Sequence, residues 1–330
     1  MQYAPKAALA LSLIVLLCLN SGPATAAQPG AYPNKPIRFL VAQTPGSSID
    51  AISRVVATKM GEILGQQFVV DNRTGAGGTI AGAIVANAEP NGYTLLSASL
   101  SSQVIGPLIY KKTTTYDPLK DFASVGPFAV TQNVLVTNPQ VPYRSVKELI
   151  AYAKANPGKI NWANSGTGFQ SHLAGVLFTH MANIDVLHVP YKGAGLSVPA
   201  VISGESHVTF GPAPAFMGHV QSGRLRALAI GSEKRSTLWP EIPTVIESGL
   251  PGYVSDGWAG IVAPKGTPKA ILEKLNATLV SAVRDPATVE ALKRIGAEPL
   301  IGSPADFTKL IAKEWKNLGD AIRISNLKVD

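Results

Sequence analysis

Short apolar runs alternate with stretches in which apolar residues return every three to four positions, and they do so along almost the whole chain. Ile37 to Ala42 is a run of the first kind and stops at Pro45-Gly46. Ile52, Val55, Val56, Met60 and Ile63 then recur at helical spacing, which predicts a strand, a tight turn and a helix over 49–64. The same unit is predicted three more times: Phe68 to Val70 with Thr79 to Ala86, Ile160 to Ala163 with His172 to Met181, and Val186 to Val189 with Ser197 to Ile202. Such alternation predicts α/β layers with largely parallel sheets. Thr267-Pro268 and Ser303-Pro304 each offer a hydroxyl cap followed by proline at the first helical position, and Ser145 can cap Val146 to Ala155. Ile271, Leu272, Leu275, Leu279 and Val283 give one late helix a buried stripe. Asn133 to Thr137 and Gly260 to Ala263 are extended, flanked by Gly and Pro, and are candidates for strands crossing between two lobes.

The N-terminus departs from this rhythm. Lys6 precedes an apolar run from Ala7 to Leu19, too short to span a bilayer, and Ala24-Thr25-Ala26 is a small-x-small cleavage pattern. Residues 1–26 therefore read as a cleaved secretory leader, with the mature chain starting near Ala27 outside the cytoplasm. Neither a permanent anchor nor a lipoprotein signal fits as well, because Asn20, Gly22 and Pro23 close the run and Cys18 follows the bulky Leu17. Cys18 is the single cysteine, so the mature chain has no disulfide and relies on core burial. A chain of 330 residues has enough interior for that, and two lobes suit the length better than one. The formal charge of +8 becomes +7 without Lys6. Its Lys and Arg are scattered, which suits a solvated basic surface rather than a nucleic-acid interface. No second segment approaches a membrane span.

Several catalytic patterns fail at particular residues. Gly77 to Gly82 has phosphate-loop spacing, but Ala83 stands where the phosphate-reaching lysine belongs. Gly75 and Gly77 begin a dinucleotide pattern that Ile80 breaks. Ser165 lies between Ala163 and Thr167 rather than the glycines of a nucleophile elbow. His172 and His180 are eight residues apart, about 12 Å along one helix, too far to share a metal ion. His188, His207 and His219 lie on other segments, and all five histidines read as structural.

What remains is a pair of glycine- and hydroxyl-rich turns that open helices. Thr44-Pro45-Gly46-Ser47-Ser48 follows the first strand, and Asn164-Ser165-Gly166-Thr167-Gly168 precedes the helix containing His172. N–H groups at a helix start have no intrahelical acceptor and attract anions. Either turn alone is an ordinary capped turn. Two facing turns would clasp a carboxylate without an arginine.

Six motifs then occur in order: Tyr32-Pro33-x-Lys35-Pro36-Ile37, Pro45-Gly46 with Asp50, Asn72-Arg73-Thr74-Gly75-Ala76-Gly77-Gly78, Asn91-Gly92-Tyr93-Thr94-Leu95-Leu96, His172-Leu173-Ala174-Gly175 and His188-Val189-Pro190-Tyr191-Lys192-Gly193. Together they resemble the substrate-binding proteins of tripartite tricarboxylate transporters, the Bug or TctC family, over essentially the whole mature chain. The resemblance implies an α/β, two-lobed periplasmic binding protein of the type II, Venus-flytrap kind, with two crossing strands at the hinge. On that reading 27–131 and 254–330 form lobe 1 and 132–253 form lobe 2. The implied function is a non-enzymatic, monomeric periplasmic receptor, without cofactor or metal, that hands a small carboxylate to the large and small membrane subunits of a transporter. A ligand-sensing partner of a membrane signalling protein and a secreted hydrolase are the alternatives.

The implied ligand residues are Gln43, Thr44, Gly46, Ser47, Ser48, Asp50 and Ser99 from lobe 1. Lobe 2 supplies Ser165, Gly166, Thr167, Gly168, Phe169, Tyr191, Lys192 and Gly193. Asn72 to Gly78 is expected to be a structural loop. Gln43, Thr44 and Ser47 stand where the family commonly has an aromatic residue, an alanine and a glycine, and Phe169 stands where a serine is common. A ring face at Phe169 with polar groups at Ser47, Ser48 and Gln43 favours an aromatic carboxylate or dicarboxylate over a flexible citrate-like acid.

Overall fold

Strand–turn–helix units form where the sequence pattern places them. A computed structural model describes residues 32–324, so the expected leader over 1–26 lies outside the described residues. The first unit is β1 (Ile37–Val41) with α1 (Ser48–Leu64), followed by β2 (Phe68–Asn72) with α2 (Thr79–Ala86) and β3 (Thr94–Ser99). A π-type turn, Ser101–Ile105, runs into a short helix α3 (Gly106–Ile109). The middle of the chain holds β4 (Phe122–Thr137), α4 (Val146–Ala155), β5 (Asn161–Asn164), α5 (Gln170–Ala182), β6 (Leu187–Pro190) and α6 (Ala194–Ser203). Then come β7 (Val208–Pro212), α7 (Met217–Gln221), β8 (Arg226–Ile230) and β9 (Asp256–Pro264). The chain closes with α8 (Lys269–Arg284), α9 (Pro286–Arg294), β10 (Ala297–Pro299) and α10 (Pro304–Ile324). None of the described helices is long and apolar enough to cross a membrane.

The strand order β2-β1-β3-β9-β4-β7-β5-β6, with β8 and β10 also on β4, makes β4 the axis of the molecule. Its first part pairs with β9 from Phe122 to Gln132, and its last part pairs with β7 from Asn133 to Thr137. One strand thus belongs to two sheets, and its partner changes between Gln132 and Asn133. The chain returns through Gly231, which donates to Asn133 O at 2.7 Å, and Ser255, which donates to Gly231 O at 2.7 Å just before β9. Among the named strands of the described residues, the parallel pairs are those of the crossover units β2-β1-β3 and β6-β5-β7. Each pair involving β4 or β9 is antiparallel, which makes the sheets more mixed than the largely parallel expectation. A chain that crosses out and back must supply strands of opposite direction at the crossing.

Each sheet has its own core. In the second, Trp162, Phe178, Phe210 and Tyr253 are buried, with the Trp162 and Phe178 rings 5.3 Å apart and Phe210 stacked on Tyr253 at 5.4 Å. The first is built on Leu40, Leu96, Val262, Trp258 and Phe307, and Leu173 of α5 reaches into it from the other half. Leu275, Leu279 and Val283 bury the α8 stripe, as its spacing predicts, while Ile271 and Leu272 are only half-buried. Ser145 and Ser303 cap their helices, accepting from Glu148 N–H at 3.2 Å and Asp306 N–H at 3.1 Å. Thr267 does not cap: its hydroxyl donates to Pro264 O at 2.7 Å, and Pro268 takes the cap position.

Beside the crossing, Asp256 lies opposite Gln132, and its Oδ1 finds no protein partner. Burial, then the nearby Glu298 and Glu314, pushes its carboxyl up to about 6. An unfolded aspartate titrates near pH ~3.9. Between roughly pH 4 and 6 the folded chain therefore holds a proton that the unfolded chain has lost, and stability falls as pH rises across that window. Asp256→Asn should flatten this decline in urea midpoints measured from pH 4 to 7, the wild-type slope being up to ~1.4 kcal/mol per unit. Equal slopes for the two proteins would contradict the assignment.

Candidate ligand-binding site

The turn after β1 is shaped by its own side chains. Gly46 has φ of 76°, a conformation that glycine adopts without strain. Ser47 caps α1 by accepting from Asp50 N–H at 3.3 Å, and Asp50 Oδ2 accepts Gly46 N–H at 2.9 Å. The Asp50 carboxylate also takes Asn72 Nδ2 at 2.9 Å and Arg54 Nε at 3.0 Å. Burial acts to raise this carboxyl, but the hydrogen bonds from Arg54, Asn72 and Gly46 outweigh it and hold it below the usual range. Asp50, expected at the ligand, is instead consumed in bracing the turn: both its oxygens are already occupied. The first two N–H groups of α1, those of Ser48 and Ile49, find no acceptor among the described residues. They carry the positive end of the helix dipole.

The turn before α5 is braced in the same way. Asn164 Oδ1 accepts Gly166 N–H at 2.9 Å, and Ser171 Oγ accepts Ser165 N–H at 2.9 Å. Phe169 occupies the cap position and offers no side-chain cap. The Gln170 N–H donates to Ser101 Oγ at 3.0 Å, tying α5 to the π-type turn of the first half. Thr167 and Gly168 keep N–H groups without an acceptor among the described residues.

These two turns come together along one seam. A Cβ placed on Gly193 would lie 2.5 Å from Thr44 Cγ2, so the start of α6 touches the first turn closely enough to demand glycine. A Cβ on Gly77 would lie 2.9 Å from Gly168 O, which makes the Asn72 to Gly78 loop a contact across the seam as well as a structural loop. Tyr110 Oη donates to Thr167 O at 3.3 Å, and Ser48 Oγ donates to Pro212 O at 3.2 Å. Between the turns lies a cavity of about 20 Å³ whose polar lining is Gln43, Ser48, Ser165, Gln170 and Ser171, with Phe169 as its aromatic wall. That is room for about one water. The Gln170 Nε2 and Thr44 Oγ1 are buried without a protein partner.

Other expected site residues lie elsewhere. Ser99 is buried in the β3 end, where its hydroxyl accepts Ser102 N–H at 3.3 Å, so it serves the local turn. Tyr191 turns its hydroxyl away from the cavity to Glu205 at 2.8 Å and Ser206 at 3.1 Å, and Lys192 is exposed. Only Gly193 of that motif meets the seam. His172 and His188, on separate segments, do converge, with rings 6.4 Å apart, but His188 packs on Trp162 in the second core. Burial, then His172, pushes His188 down to about 4, which keeps it neutral. Gln170, Pro212, Ala215 and Phe216 line the cavity with no motif to announce them. Gln170 alone had a signal, being the polar residue next to Phe169 at a helix start.

Asp50→Asn keeps the shape and removes the charge. It should cost ~1.5–3 kcal/mol at pH 7, the value of hydrogen bonds to a charged group. Because the folded carboxyl is depressed, that contribution exists above pH ~3.9 and is lost as pH falls through the lower folded value. The gap between wild type and variant in urea unfolding should therefore shrink below about pH 4. A gap of unchanged size at pH 3 would contradict the bracing role.

Comparison with known proteins adds independent findings. Residues 52–327 match the sequence profile of the tripartite tricarboxylate transporter family receptor. Protein BugT of Bordetella pertussis is 36% identical over 319 residues, 97% of this chain and 98% of that one. Among solved structures, a periplasmic transporter protein superposes with a TM-score of 0.88 at 39% identity, covering 91% of this chain and 100% of its own. A protein of R. palustris determined with adipate superposes at 0.86 with 32% identity, covering 90% and 99%.

Proposed function

This chain belongs to the tripartite tricarboxylate transporter receptor family, and on that premise we propose that it captures a small carboxylate between its two turns and delivers it to transporter membrane subunits. The observation that carries the reading is the convergence of the two turns on one polar cavity. From one side come Gln43 and Ser48, whose N–H at the start of α1 has no acceptor among the described residues; from the other come Ser165, Gln170 and Ser171. These groups can turn hydroxyl and amide donors toward an anionic oxygen, and the turns that carry them are braced. Relatives solved with adipate and, in MatC of Rhodopseudomonas palustris, malate bind acids of this class.

The seam closes by bending where β4 changes sheets and where the chain re-enters β9, so lobe 1 (27–131 and 254–330) swings against lobe 2 (132–253). Without ligand, the closed arrangement leaves space for about one water between the turns. Ligand enters when the halves are apart and then stabilises their closure by its contacts to both. The work is done in the periplasm, after removal of residues 1–26, by a monomer that performs no chemistry on its ligand. Phe169 presents a ring edge or face to the ligand body.

Mature protein, stripped of carried-over ligand by unfolding and refolding, should rise in thermal stability with one class of acid from a panel of aliphatic and aromatic carboxylates. At a hundred times the dissociation constant the gain is ~2.7 kcal/mol. No shift with any carboxylate would sink the reading. Phe169→Ala should weaken aromatic acids selectively, and unchanged affinity for all of them would remove Phe169 from the ligand wall.

A further inference from the structure

The cavity between the turns has room for about one water, and a much larger space adjoins it. That space is a groove of about 440 Å³ that begins at Gly46 of the first turn and shares Ala194 and Ala215 with the cavity. It follows one face of α6 through Val198, Pro199 and Ile202, about 13 Å of helix at 1.5 Å per residue. Its size lies within the ordinary range of small-molecule sites. Along α6 the lining is apolar as far as Ser203; His219 of α7 and Arg224 supply its basic groups, and no acidic residue is among the lining residues.

We propose that this groove is the second compartment of the ligand site and that Arg224, with His219, receives the far anionic end of a dicarboxylate whose apolar middle lies on α6. This inference rests on the carboxylate reading above and narrows it to acids with two charged ends. Arg224 is exposed, and its Nε donates to Ser222 Oγ at 3.2 Å, which holds the side chain while leaving the rest of the guanidinium fork free among the described residues. The His219 Nδ1 is buried without a protein partner. A buried N–H with no acceptor is costly, so the neutral ring does better with its proton on Nε2, where it is a donor. Burial, and then the Arg224 charge, keeps the ring neutral. The pairing also explains the division of labour along the groove. Dipolar donors in a closed cavity suit the first carboxylate, and a solvated guanidinium at an open end suits the second, which keeps part of its hydration.

The test compares dicarboxylates with half-amides of the same length, which preserve shape and remove the far charge. Succinate, glutarate, adipate, pimelate and terephthalate, each with its half-amide, are titrated calorimetrically into wild type, Arg224→Ala and Arg224→Lys. Wild type should prefer at least one diacid over its half-amide by ten-fold or more. Arg224→Ala should erase that preference by weakening the diacid alone, and Arg224→Lys should restore part of it. Equal preference in wild type and Arg224→Ala, or equal weakening of both acids, would overturn the proposal while leaving the carboxylate reading standing. Wild type that binds half-amides as tightly as the diacids would do the same. Binding of neither kind would overturn both.

Discussion

The approach of two backbone turns across a seam is the constraint on which the site depends. Thr44 against Gly193 and Gly77 against Gly168 are contacts in which a Cβ would collide, so glycine at two positions sets how near the halves come. Backbone N–H groups have no reach of their own. They become a binding site only when the polypeptide that carries them is brought within hydrogen-bond distance of the ligand, and glycine permits that approach. The internal braces follow from the same requirement: Asp50 on Gly46, Asn164 on Gly166 and Ser171 on Ser165 fix the turns before any ligand arrives. Donors held in advance lose little freedom on binding.

The two halves are joined through β4, a strand that changes partners between Gln132 and Asn133 and so connects the two cores. The joint is polar for a protein interior. Thr131 Oγ1, Gln132 Oε1, Asn133 Oδ1 and Asp256 Oδ1 are buried there without protein partners. Unmatched groups of this kind cost stability in a fixed core. Leu173 and Gln170, at the start of α5, reach over to the first half, so the helix that presents the second turn is packed on both halves.

Much of this was legible in the sequence because strand and helix periods are local. The alternation that predicted β1–α1 and β5–α5 is read directly from apolar spacing, and the two anion-seeking turns are read from glycine and hydroxyls at helix starts. The crossing strand was visible only as extended segments, Asn133 to Thr137 and Gly260 to Ala263, since nothing local says that one strand serves two sheets. Tyr191 and Lys192, expected at the ligand, lie with the hydroxyl of one on Glu205 and Ser206 and the other exposed, an orientation that the motif does not reveal because adjacent side chains at a strand end point to opposite faces. Asp50 and Ser99, also expected at the ligand, bond their own turns, as short polar side chains near helix starts tend to do. Pro212, Ala215 and Phe216 reach the cavity through tertiary packing and carried no local signal.

The central claim is that ligand draws the two halves together onto one carboxylate. Cys18 is the single cysteine, so a protein lacking residues 1–26 accepts two spin labels cleanly, at Lys154→Cys on α4 and Lys265→Cys after β9, both exposed positions. The distance distribution between them, measured by pulsed electron resonance on ligand-free protein and again with a saturating acid that raises thermal stability, is the direct test. The account predicts a broad or displaced distribution without ligand and a single narrow one, matching the closed seam, with it. An identical distribution in both states, with binding intact, would contradict closure as the means of capture.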